Sequence, residues 1–151
     1  MKRLIRSEGG TSAVEFAIVA PVLIFLLIGL IDVGRYTYYG ILAANAARAG
    51  AQYGAQSVYT AIDSPGMQNA ALADGQNLPN WTDATGSITA QHLCSVNGAT
   101  PATCAAGTPV PNSIYYVKVE VNGQFSALIK YPGIPASIPV SGSAFMRVAS
   151  Q

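Results

Sequence analysis

Charge is scarce in this chain. Only 10% of its residues are Asp, Glu, Lys or Arg, and the formal net charge is +1. A nucleic-acid-binding protein shows a basic patch, and this sequence has none. Histidine is nearly missing: His92 is the only one, with no neighbouring Ser or Asp motif and no cluster of ligands around it. That argues against a hydrolase triad and against a zinc centre. No Gly-x-Ser-x-Gly, phosphate loop or dinucleotide fingerprint occurs. Asp63, Asp74 and Asp83 are spaced too irregularly for a calcium loop and read as caps of helices and turns. The expectation is a non-enzyme with no cofactor and no metal. Cysteine is limited to Cys94 and Cys104, with no Cys-x-x-Cys, so a thioredoxin-like redox pair is not indicated. Two cysteines in an exported segment favour a disulfide between them.

What the chain does have is a long apolar run near its start. Phe16 to Ile31 holds sixteen residues without a charge, and extension back to Thr11 gives twenty-one residues with Glu15 as the single charge. A helix needs about 20 mostly apolar residues to cross a hydrocarbon core of roughly 30 Å. Residues 11–31 therefore read as a transmembrane helix. Pro21 lies inside it and is expected to kink it, which a lipid-embedded helix tolerates. Lys2, Arg3 and Arg6 precede the run, offset only by Glu8. Positive flanking charge puts the N-terminus in the cytoplasm and the rest of the chain across the membrane.

Glu15 has two readings. An ionisable side chain within a membrane segment is a functional-site hypothesis by default. A cut after Gly10 would place a new amine on Thr11, four residues and one helical turn before Glu15. Alternatively Ser12-x-x-Glu15 matches a capping box, and a carboxylate suits the positive end of a helix.

The basic leader of residues 1–10, the Gly9-Gly10 pair and the apolar run together resemble the processing region of type IV prepilins, with Gly10 before the cut and Glu15 at the fifth mature position. The longer strings Gly10-Thr-Ser-Ala-Val-Glu-Phe-Ala-Ile-Val-Ala-Pro-Val-Leu23 and Gly29-Leu-Ile-Asp-Val-Gly-Arg35 resemble the TadE-like family more closely. That family comprises pseudopilin-like proteins of the tight-adherence (Tad, or Flp-type) pilus apparatus. A weaker likeness lies in Val117-Lys-Val-Glu-Val121 and Ala144-Phe-Met-Arg147. The resemblance implies a pilin-like subunit of the bacterial inner membrane, cleaved between Gly10 and Thr11 by a prepilin peptidase. Its partners would be other Tad or pseudopilin subunits. A start at Thr11 would remove Lys2, Arg3, Arg6 and Glu8, leaving five basic and six acidic residues. Two rivals remain at this point. One is an uncleaved, signal-anchored periplasmic binding or scaffold module. The other is a domain released by signal peptidase near Ala43–Ala51, although no Ala-x-Ala follows the apolar run directly.

Beyond the membrane the helical pattern continues. Arg35 to Ile62 contains no proline and much alanine, so residues 32–62 are expected to extend the helix. From Thr11 to Ile62 it would measure roughly 78 Å at about 1.5 Å per residue. Gly40, Ala44, Ala47, Ala51 and Gly54 recur at spacings of four and three, a small-residue face that admits a close neighbour. That neighbour is either the protein's own C-terminal domain or another subunit.

Residues 63–151 read as a small periplasmic domain. Ser64-Pro65 starts a helix through Asp74, ended by Gly75. Gln76–Gly86 reads as loop, with Trp81 folding back onto the core. Ser87–Val96 alternates as a strand, with Ile88, Ala90, His92, Cys94 and Val96 on one face. Asn97–Asn112 reads as loop. Ile114–Phe125 alternates with Val117, Val119, Val121 and Phe125 together and with Lys118 and Glu120 opposite. Asn122-Gly123 is a hairpin signal, but the alternation runs through it, which favours one bent strand. Tyr131–Pro135 is the turn into a last strand, Ile138–Val148. A long membrane helix continuing into three antiparallel strands makes an α+β chain.

Overall fold

In the computed structural model, residues 9–76, 88–104, 113–129, 133 and 135–149 are described. Trp81, most of the Tyr131–Pro135 turn and leader residues 1–8 lie outside them. The first element, α1, runs from Gly9 to Gly54, 46 residues with Pro21 inside, or roughly 70 Å at 1.5 Å per residue. Its first half touches almost nothing. Phe16, Ile18, Leu26 and Leu30 each expose at least 65% of their surface, and the first buried residue along the helix is Asp32. From there α1 becomes one layer of a packed domain.

The helix stops at Gly54, earlier than the sequence pattern suggests. After a turn, α2 (Val58–Ile62) starts afresh with Ser57 as its N-cap. The Ser57 hydroxyl accepts from Thr60 N–H at 3.2 Å, and the Thr60 hydroxyl accepts from Ser57 N–H at 2.9 Å. This reciprocal pairing offers the backbone an alternative to continuing the first helix. The expected unbroken run to Ile62 is thus corrected. α3 follows as Ser64–Asp74 and ends at Gly75, as its sequence signals require. Asp63 caps it: Oδ1 accepts from Gly66 N–H at 3.0 Å, and Oδ2 accepts from the Tyr53 hydroxyl at 2.8 Å. The tyrosine bond first, then the Gly66 amide, holds the Asp63 carboxyl below the usual carboxylate range.

Among the described residues, four antiparallel strands form one sheet in the order β2-β1-β3-β4: β1 Ile88–Val96, β2 Ala102–Thr103, β3 Ser113–Ser126 and β4 Ser137–Arg147. β3 passes straight through Asn122-Gly123 as one strand, pairing with β4 from Tyr116↔Arg147 to Ser126↔Ser137. Its inward residues Val117, Val119, Val121 and Phe125 are buried, while Lys118 and Glu120 form an ion pair on the other face. β2 is additional to the three expected strands. It occupies two residues of the stretch expected to be loop, opposite Leu93 and Cys94. Leu93 and Ser95, on the face opposite Ile88 and Ala90, are buried as well. Ser95 is covered there by the turn after β1, donating its hydroxyl to Ala99 C=O.

The core lies between the sheet and the C-terminal half of α1, with α3 alongside. Ala43, Ala46, Ala47 and Ala51 of the helix pack with Met67, Ala71, Ile88, Val117, Val119, Val121, Val140 and Ala144. The helix contributes alanine and glycine because the opposing backbones come very near. A Cβ at Gly50 would lie 2.7 Å from the Met67 carbonyl oxygen, and one at Gly142 of β4 would collide with the backbone of Ala43 and Ala44.

Candidate functional site

The candidate site expected from the sequence lies in the N-terminal part of α1. Gly10 lies within the helix, and a Cβ built there would meet nothing within 4 Å. Among the described residues, packing gives no reason for glycine at this position. Glycine also weakens a helix by about 1 kcal/mol relative to alanine. Thr11 follows in the same helix, and Glu15 is exposed four residues on, about 6 Å further along the axis. Among the described residues no ion pair reaches Glu15. Ser12 and Glu15 both lie within the helical residues of α1. Among the described residues one helix, from Ser12 on, is long and apolar enough to cross a membrane.

The small-residue face divides. Ala47, Ala51 and Gly54 are buried in the core, whereas Gly40 and Ala44 stand at its edge, and Gly40 has open space where a Cβ would be. The face that packs is Ala43, Ala46, Ala47, Gly50, Ala51 and Gly54, and it packs on the protein's own sheet and α3. Relative to the sequence reading, the stripe is rotated so that Ala43 and Gly50 replace Gly40 and Ala44. The signal that could have set its phase is Gly142, a glycine inside a strand, which marks a close backbone approach.

A second feature joins helix to sheet at the edge of the apolar run. Asp32 is only 6% exposed. Its carboxylate accepts the Leu128 backbone N–H, at 3.1 Å to Oδ2, and the Arg35 guanidinium, at 2.9 Å from Nη1 to Oδ1. The Arg35 guanidinium carbon lies 5.3 Å from the Phe125 ring centroid, and Tyr36 meets the same ring edge-on. Asp32 and Arg35 stand in the sequence only as part of the family-like string; their link to residue 128 is invisible there because 96 residues separate the partners.

Cys94 and Cys104 form a disulfide, with Cα atoms 5.3 Å apart. It fastens β2 to the end of β1. His92 stacks on Tyr115 at a centroid distance of 5.3 Å, close to this bridge, and burial lowers its pKa from the ordinary 6.5. It is a partly buried strand residue. Replacing both cysteines with serine is expected to cost about 3 kcal/mol or slightly less, from the loop entropy restored to the unfolded chain. Chemical denaturation of the two forms measures this; an unchanged midpoint would contradict it. Among the described residues no three His, Cys, Asp or Glu side chains gather into a metal-binding group.

No curated protein and no solved structure matches this chain significantly. Residues 10–52, which hold Gly10, Glu15, the apolar run, Asp32, Arg35 and most of the buried helix face, match the family model described as TadE-like protein.

Proposed function

We propose that the protein is a pseudopilin-like, single-pass inner-membrane subunit of a Tad/Flp-type pilus apparatus. Residues 1–10 form a cytoplasmic leader, 11–31 span the membrane, and the remainder stands in the periplasm or is carried into a surface pilus. A prepilin peptidase removes the leader after Gly10. The observation that carries this reading is the exposed stretch of α1 from Ser12 onward. Its large apolar side chains lie open from Val14 to Ile31, and a soluble protein does not leave so long an apolar surface uncovered.

Two features of the N-terminus support processing there. Among the described residues nothing lies within 4 Å of a Cβ built at Gly10, and a narrow protease cleft that takes extended backbone is one demand glycine meets, because it adopts strained conformations freely. Glu15 is then placed to meet an ammonium at Thr11, its own or that of an adjacent subunit. The protein acts as substrate of the peptidase and partner of other pilus subunits.

Gly10→Leu tests the reading. The variant is expected to insert normally and to accumulate as the full-length precursor, a shift that gel mobility detects. Processing at the native rate would contradict cleavage at this bond and favour an uncleaved signal-anchored module.

A further inference from the structure

We infer that the start of the β3–β4 connection, at Leu128, is seated in the outer interface of the lipid bilayer, and that Asp32 is the residue that positions it there. The inference rests on the membrane-spanning reading of α1. A hydrocarbon slab takes about 20 helical residues. The span of residues 11–31 meets that length, so Asp32 is the first residue past its outer end.

The hydrogen bond from Leu128 N–H to Asp32 Oδ2, 3.1 Å long, fixes the connection at the same depth. Leu128 nevertheless exposes 60% of its surface. An apolar side chain held open at this level contacts lipid. The polar groups follow the rule that non-helical backbone at membrane depth must be satisfied by protein. Asp32 is buried and occupied on both oxygens, by the Leu128 amide and by Arg35. The Arg35 side chain, lying near the Phe125 and Tyr39 rings, keeps its stem on apolar surface while its charge pairs with the carboxylate. One turn further out, Tyr36 and Tyr38 are 40% and 54% exposed. Tyrosines there form the aromatic belt expected at a headgroup region. The sheet domain thus rests on the membrane at Leu128 and does not swing freely on its helix.

The test uses the full chain in lipid nanodiscs at one copy per disc. Leu128→Cys, Tyr59→Cys and Leu23→Cys are each labelled with an environment-sensitive fluorophore; the native cysteines are tied in their disulfide. Lipids carrying a nitroxide near the headgroup serve as quencher for positions 128 and 59, and lipids carrying one deep in the acyl chain for position 23. Tyr59, 84% exposed on α2, is the aqueous reference. The label at position 128 is expected to be quenched several-fold more than that at 59. Equal quenching at 128 and 59, with Leu23 quenched by deep nitroxides, would overturn the seating of Leu128 alone. A blue-shifted but unquenched label at 128 would also overturn it, because protein and not lipid would then cover the site. Absence of quenching at Leu23 would overturn the membrane span itself.

Discussion

Gly142→Leu is expected to destabilise the exposed domain by about 3 kcal/mol, the upper end of the range for overpacked cores. The reason is that the obstacle is backbone. A Cβ at this site of β4 would run into the carbonyl of Ala43 and the amide of Ala44, and neither can rotate aside as a side chain would. Either β4 must lift from the helix or the helix must bend, and both moves loosen Val140 and Ala144, the buried neighbours on the same strand face. Thermal unfolding of the detergent-solubilised chain should fall by more than about 10 °C, given several degrees per kcal/mol for a domain of this size. Gly40→Ala provides the contrast. Open space surrounds that position within the helix, so the change is expected to be neutral or to stabilise by up to about 1 kcal/mol. A large loss at Gly40 with none at Gly142 would contradict the placement of the packing face.

The second large effect is expected at Glu15. A carboxylate carried into hydrocarbon is unfavourable, by about 2.5–3.5 kcal/mol for aspartate at central positions on insertion scales. An ammonium on Thr11 of an adjacent subunit would offset that cost after leader removal. Such a pair forms well in only one axial register, and setting register is the best-attested use of buried polar groups. Glu15→Leu is therefore expected to insert and to be cleaved normally but to fail in assembly. The measurement is co-purification with the other pilus subunits, together with a count of surface pili. Undiminished association with normal piliation would remove Glu15 from assembly altogether.

Much of this was readable along the chain, and the misses have physical causes. The apolar run, the alternation of Val117, Val119, Val121 and Phe125, and the Pro65 and Gly75 limits of α3 are local signals, and the fold follows them. The Cys94–Cys104 bridge follows from there being only two cysteines. The end of α1 was misread because alanine-rich composition favours helix up to Ile62, while the deciding contact is the small reciprocal cap of Ser57 and Thr60. The packing stripe was misphased because a helix rich in alanine and glycine offers small residues on more than one face. Gly142, about 100 residues away in sequence, selects which of them is covered. β2 was missed because two residues carry no periodicity; its partner strand and the disulfide define it. The role of Asp32 depends on Leu128, and no spacing rule connects them.

The account turns on what happens at Gly10. Intact mass and N-terminal fragment spectra of the protein extracted from its native membrane test this most directly. The account predicts a chain that starts at Thr11. A chain that retains Met1 would contradict processing and leave a simple anchored module, and one that starts between Ala43 and Ala51 would contradict the membrane helix as a permanent part of the protein.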